Sequence, residues 1–321
     1  MTVQSDQIAA GHERWQEAGT SEQWSDSFYF GGGDGTGLAF YSRIGLRPNE
    51  GITEGALGIW IPGEGFLLSF KRGGVASEIA CGPVRFECRD PLASWDLEFD
   101  GTGRLYERAE HIATHRGRYR EASVAGNLRF TGWHAPLTFA SGLSSAVASS
   151  HYEQPGAIDG EIEVDGERRM LNGKGLRDHS WGVRDWQRVP YWRWFGFVAD
   201  PDAFLLLNNV GLDDGSETAG GFLMLHGVLA PIVSCETESE LDPALGFQQS
   251  FSARATDDQG RQTLLEGRAL EVAPLRQRRD GRTTHVNEAL TAYRWEGREG
   301  IGISEYLVQR PAETDGADRS R

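Results

Sequence analysis

Glycine divides this chain into short apolar runs, and that punctuation limits the fold more than any motif does. S-F-Y-F is followed by G-G-G-D-G-T-G, then by L-A-F-Y-S-R-I-G-L, A-L-G-I-W-I-P and F-L-L-S-F-K-R. There are 42 glycines in 321 residues, and Asp-Gly or Gly-Gly pairs between runs of strand formers are hairpin signals. An all-β meander is expected. The run from Gly31 to Gly37 has the composition of a phosphate loop, but such a loop must open a helix whose N-terminal amides face the phosphate. Strand formers follow instead, so a hairpin turn is expected there. V-R-F-E-C-R and S-W-D-L-E-F-D-G continue the β pattern.

Two segments break it. Residues 6 to 19 read as one short amphipathic helix in an N-terminal arm spanning 1–20. R-L-Y-E-R-A-E-H-I-A-T-H-R-G-R-Y-R-E-A is the best helical candidate and sets His111 and His115 on one helical face. Two histidines without a third and fourth ligand do not make a zinc site, so no metal is expected. H-Y-E-Q-P-G marks a turn at Pro155 and Gly156 and a domain boundary, giving one β domain over 21–150 and a second over 151–310. The second opens with a hairpin turning at Asp165 and Gly166, and seven later strand-like runs suggest a barrel more than a sandwich. The polar tail, 311–321, reads as disordered.

The net charge of −15 argues against nucleic acid or an anionic membrane surface as the partner and favours a neutral small molecule. Cys81, Cys88 and Cys235 are odd in number and lack C-x-x-C spacing, which fits a reducing cytosol and no thiolate metal site. The chain has no basic start with an apolar run behind it, and no window of ~18 apolar residues. A cytoplasmic protein with no integral membrane segment is expected.

Unusual chemistry concentrates in G-K-G-L-R-D-H-S-W-G-V-R-D-W-Q-R-V-P-Y-W-R-W, from Gly173 to Trp194. Read as a strand, it places Asp178, Ser180, Gly182, Arg184 and Trp186 on one face. Arg177, His179, Trp181, Val183 and Asp185 take the other. Unpaired buried charge costs several kcal/mol, roughly, so ionisable groups on both faces point to a cavity on one of them. The competing reading is a structural ion-pair network of Asp178, Arg184 and Asp185. Later in the chain, His226 is expected on a face with Phe222, Met224 and Val228, and Glu305 with Ile301, Ile303 and Leu307. A carboxylate in such company needs a partner or a task.

R-D-H-S-W-G-V-R-D-W resembles the D-H-x-W-G signature of the carotenoid 1,2-hydratase (hydroxyneurosporene synthase) and AttH-like superfamily. The resemblance extends to H-Y-E-Q-P-G, the D-G-E-I-E-V-D-G hairpin, G-I-G-I-S-E-Y and W-S-D-S-F-Y-F, over most of residues 20 to 310. It implies two lipocalin-like β-barrels packed side by side, with an apolar cavity at their interface or in one barrel, and no metal or organic cofactor. It also implies a hydratase (hydro-lyase) acting on a double bond of an isoprenoid-like substrate, with a terpenoid or polyketide cyclase as the alternative. A non-catalytic carrier of apolar ligands would use the same barrel. Ser180 stands where the carotenoid hydratases commonly have Asn.

Those chemistries need an acid able to protonate carbon and a cavity that tolerates a carbocation. Burial keeps a carboxyl protonated near neutral pH, which makes Asp178 and Glu305 the expected acids. His179 and Arg184 are expected to orient the acid or the water. Trp181, Trp186, Trp192 and Trp194 would offer ring faces to a cation, with His226 and Tyr306 contacting the ligand.

Overall fold

The computed structural model describes residues 8–113, 118–138, 150–184, 189–279 and 282–311. Its first eleven strands are β1 (Trp24–Gly33), β2 (Ala39–Arg47), β3 (Ile52–Ile61), β4 (Gly65–Gly73), β5 (Ala80–Cys81), β6 (Val84–Asp90), β7 (Ser94–Tyr106), β8 (Tyr119–Gly132), β9 (Leu137–Thr138), β10 (Ser150–Val164) and β11 (Glu167–Val183). They form one antiparallel sheet in the order β4-β3-β2-β1-β11-β10-β8-β7-β6-β5, with β9 paired to β10 off this path. Pairing of Phe66–Leu68 with Arg104–Tyr106 joins β4 to β7 and closes the sheet on itself. The remaining strands, β12 (Tyr191–Asp200), β13 (Ala203–Gly211), β14 (Glu217–Leu225), β15 (Val228–Leu241), β16 (Gln248–Asp257), β17 (Gln262–Arg279), β18 (Arg282–Trp295) and β19 (Arg298–Pro311), form a second closed barrel in chain order. The architecture is two lipocalin-like barrels.

Period-2 alternation assigns each strand to two cores at once. Phe28 and Phe30 of β1 point into the first barrel, among Phe40, Ile59, Phe99 and Trp95. Tyr29 between them points out, into a cluster shared with the other barrel. Likewise Phe195 and Phe197 of β12 fill the second barrel, while Trp192 and Trp194 face the first. Strands buried on both faces read as unbroken apolar runs, which is why A-F-L-L-L-N-N-V shows no alternation.

The barrels meet by a reciprocal fit. A Cβ on Gly31 would lie 2.8 Å from Ile303 Cδ1, and one on Gly196 would lie 2.5 Å from Leu176 Cδ2, so each barrel offers a glycine to the other's aliphatic side chain. Gly31→Ala should therefore destabilise by overpacking, by about 1–3 kcal/mol. Urea denaturation checks this, and restoration of the midpoint by Ile303→Ala in the same chain would trace the loss to this contact.

Several expectations are corrected. The boundary at 150 falls inside the first barrel: Pro155 and Gly156 sit within β10, paired to β8 and β11, so the chain passes between barrels after Val183. Ladder hydrogen bonds to both neighbours override the local turn signal. The helix expected around His111 is absent among the described residues; β7 and β8 take the two ends of the segment and a 3-10 turn spans Ala109–Ile112. His115 lies outside the described residues. The N-terminal helix is reduced to a 3-10 turn, Ala10–His12, and the tail from 312 onward lies outside the described residues. The Gly31–Gly37 hairpin and the Asp165–Gly166 turn stand where expected. No helix among the described residues is long and apolar enough to cross a membrane.

Candidate active site

The two faces of β11 serve different purposes. Arg177 and His179 point into the first barrel and are fully buried. Arg177 donates to Glu13 Oε1 (3.1 Å), Gln154 Oε1 (2.7 Å) and Tyr152 Oη (3.2 Å). Trp95 Nε1 donates to the other oxygen of Glu13, at 2.7 Å. His179 Nε2 lies 2.7 Å from Asp26 Oδ1 and its ring stacks on Phe28 at 3.8 Å. Burial, opposed by Asp26, holds its pKa below the usual histidine value. This face fastens the N-terminal arm to the first barrel.

The opposite face looks outward, where the pleat aligns side chains of neighbouring strands into rows. Arg43, Tyr29, Asp178 and Glu153 stand side by side across β2, β1, β11 and β10. Ser27, Ser180 and His151 form the adjacent row, and Arg184 donates to Ser180 Oγ and, at 3.3 Å, to Ser27 Oγ. From the second barrel, Glu288 and Glu305 are direct cross-strand partners on β18 and β19, and Trp194 is the partner of Glu305 on β12. The two sets of rows enclose a cavity of about 380 Å³. Hydrogen bonds cross it: Tyr29 Oη donates to Glu288 Oε2 (3.4 Å) and Trp194 Nε1 to Glu153 Oε1 (2.7 Å). Trp192 Nε1 donates to Glu305. Leu68, Phe70, Ile112, Leu275 and Val286 add an apolar wall.

Burial dominates the electrostatics. It pushes the Glu288 carboxyl well above its ordinary value, with the neighbouring Glu305 adding to the rise. Glu305 is also raised by burial, but less, because it accepts hydrogen bonds from Glu288 and Trp192 and lies near Arg43 and Arg184. Both carboxyls therefore favour the protonated form, and as neighbours on one wall they hold a proton as a pair. Asp178 is pushed up by burial to about 6, with His151, Arg184 and Arg43 restraining the shift and Glu153 adding to it. Arg184 is lowered to about 10 by burial and by Arg43. Tyr29 and Tyr41 are raised well above 10 by burial and stay neutral donors.

Of the residues the sequence nominates, Asp178, Glu305, Arg184, Trp192 and Trp194 line one cavity. His179 does not: it lies on the other face of β11. Trp181 goes with it, packing on His179 at 4.6 Å and His12 at 5.1 Å. Tyr306 points into the second barrel, hydrogen-bonded to Ser239 at 2.6 Å, since it alternates with Glu305. His226 is exposed in the β14–β15 turn at φ 53°, because G-F-L-M-L-H-G-V-L is a hairpin rather than one strand. Trp186 and Asp185 lie outside the described residues. Glu288, Tyr29, Tyr41, Arg43 and Glu153 were missed. Glu288 carried a signal of the same kind as Glu305, an acid within the strand-like run H-V-N-E-A-L. Among the described residues no three His, Cys, Asp or Glu are grouped to hold a metal ion.

Compared with known proteins, residues 9–310 match a family model described as a domain of unknown function, DUF7064. No curated protein matches the sequence. Among solved structures, a putative AttH from Nitrosomonas europaea superposes with a TM-score of 0.55 at 13% identity, covering 90% of this chain and 93% of that one. Kievitone hydratase from Nectria haematococca gives 0.58 at 10% identity, covering 91% and 93%. CghA gives 0.58 at 9%, covering 92% and 90%. At such identities the likeness is one of fold.

Proposed function

Starting from the premise that the chain belongs to the DUF7064 family, whose description names no chemistry, we propose that the cavity between its barrels catalyses acid-assisted addition of water to a carbon–carbon double bond of an apolar, isoprenoid-like substrate, or the reverse elimination. The observation that carries this is the Glu288–Glu305 pair, two buried carboxyls side by side on an aromatic and aliphatic wall, where burial and proximity favour the protonated form. Environments that drive two sets of carboxyls apart in pKa separate acid from base. Glu288 is the acid, and Asp178, whose ionised form is favoured by its cationic neighbours, is the base.

In the hydration direction the Glu288 O–H bond breaks as a C–H bond forms at one alkene carbon. The electron pair of the double bond makes that new bond and leaves a cation at the other carbon. Water attacks the cation, forming C–O, and its proton passes to Asp178. Return of that proton to the glutamate pair through solvent restores the starting state. Trp192 and Trp194 border the cationic centre, and Arg184, anchored on Ser27 and Ser180, orients Asp178. The resemblance to the AttH-like and carotenoid hydratase superfamily, and the fold shared with a protein called kievitone hydratase, support this reading. A cyclase would use the same acid with an internal alkene in place of water as the nucleophile.

The test is incubation with a panel of acyclic and cyclic isoprenoid alkenes and alcohols in isotopically labelled water, followed by mass analysis. Label in a product is the expected result; a rearranged product without label favours cyclisation, and unaltered bound ligand favours a carrier. Asp178 must be ionised to accept the proton, so turnover should rise as pH increases through about 6. Asp178→Asn should remove that rise and lower turnover by ~100-fold. An unchanged acid limb in the Asn variant would take Asp178 out of the mechanism.

A further inference from the structure

The charged groups of the cavity are unevenly matched. Among the described residues, Glu153, Asp178, Glu288 and Glu305 line it, against Arg43 and Arg184 within it and Arg276, exposed to solvent at its edge. A fifth carboxylate, Glu54, is held by Arg47 at 2.9 Å and by Arg72 Nε at 2.9 Å. With one proton on the Glu288–Glu305 pair, three carboxylates still face the two inner guanidiniums, the charge of Arg276 being screened by solvent, and His151 lies against Glu153 at 3.3 Å. In a site of low polarity such an excess weighs far more than it would in water.

A second feature points the same way. Glu153 is fully buried; its Oε1 takes the hydrogen bonds from Trp194 and His151, while its Oε2 has no hydrogen-bond partner. The hydroxyl of Tyr41, buried on the same side of the cavity, also has none. A buried carboxylate oxygen without a donor is costly and invites one from a ligand. Around these acids stand Tyr29, Tyr41, Trp192 and Trp194. Both indoles donate their N–H to a carboxylate, which makes their rings richer in electrons and better hosts for a cation.

We propose that this cavity selects apolar ligands bearing a positive charge, organic ammonium ions being the stable representatives, over neutral ones, and rejects apolar carboxylates of equal length. The inference rests on the reading of the cavity as the reaction site and gives its charge class. An ammonium N–H answers Glu153 Oε2, its charge offsets the carboxylate excess, and its alkyl part lies along Leu68, Phe70 and Val286. A ten-carbon chain is well within about 380 Å³.

The purified full-length protein, titrated at neutral pH with N,N-dimethyldecylamine, 1-decanol and decanoate, each below its micelle concentration, tests this by calorimetry. The amine is expected to bind at least ~10-fold tighter than the alcohol, and decanoate at least ~10-fold more weakly than the alcohol. Glu153→Gln should bring the amine to within ~3-fold of the alcohol. If that variant fails to fold, the ranking on the unaltered protein decides. Decanoate binding as well as the amine would instead assign an anion site to Arg43 and Arg184; equal affinities, or no binding of any probe, would equally overturn the inference. Label uptake is read separately: an enzyme that incorporates label yet prefers decanoate loses this inference and keeps the hydration reading, and one that prefers the amine without label loses the hydration reading.

Discussion

Glu288→Gln is expected to lower turnover of whichever panel member takes up label by at least ~100-fold, with melting temperature and ligand binding little changed. Glutamine keeps the size of the side chain, can still donate to Glu305 and can still receive the Tyr29 hydroxyl, so the wall of the cavity is preserved. What it cannot do is surrender a proton to carbon. Removing the neighbouring carboxyl leaves Glu305 as the acid on that wall, raised by burial. Residual turnover, if any, should therefore shift its alkaline limb to lower pH, since Glu305 is raised less than Glu288. A variant that melts normally and turns over at the original rate would show that the pair does not supply the proton and would pass the role to Asp178.

Glu13→Ala is expected to cost about 3–5 kcal/mol of stability, the largest single loss outside the hydrophobic cores, because it strands Arg177 in the first barrel without its counter-charge. Glu13 also accepts from Trp95 and Tyr152, so two further donors lose their partner. Replacing both members, Glu13→Leu with Arg177→Met, should recover most of the loss, as a buried pair exchanged for apolar groups commonly does. Burial raises the Glu13 carboxyl, but Arg177 and the hydrogen bonds outweigh it and leave the pKa below its ordinary value. A carboxyl whose pKa is depressed on folding contributes its stability above the unfolded value, near 4.5, and loses it as pH falls toward the folded one. Acid should therefore unfold the native protein over that window, and Glu13→Ala should flatten the dependence. Equilibrium denaturation of the three proteins across pH decides, and a single mutant as stable as the native chain would show that the arm is dispensable.

Much of the site was legible because the central stretch alternates. Once R-D-H-S-W-G-V-R is read as a strand, Asp178, Ser180 and Arg184 must share a face and Arg177, His179 and Trp181 must share the other. Which face borders the cavity was not legible. His179 looks like the natural proton carrier of the motif, yet Asp26 and Phe28 claim it for the inside of the first barrel. Its acid neighbour, Asp178, is the one left facing the second barrel. His226 was misplaced for a different reason: His-Gly inside an apolar run was taken as strand, where it makes a tight turn. The boundary near 150 failed because Pro-Gly is a turn signal only when the flanking strands do not hold it in a ladder.

The sequence by itself determined the all-β class, the hairpins, which residues of β11 share a face with Asp178 and the presence of an acid within a strand at Glu305. These follow from period-2 geometry and turn chemistry, which are local. Only the tertiary structure decided that Glu305 meets Glu288 across β18 and β19, that Glu153 and Tyr29 stand beside Asp178, and that two outer barrel faces close on each other to make the cavity. Cross-strand register and barrel packing join residues more than a hundred positions apart. The raised pKa values of the glutamate pair come from burial, joined at Glu288 by a neighbouring carboxyl, and neither is written in the residues one at a time.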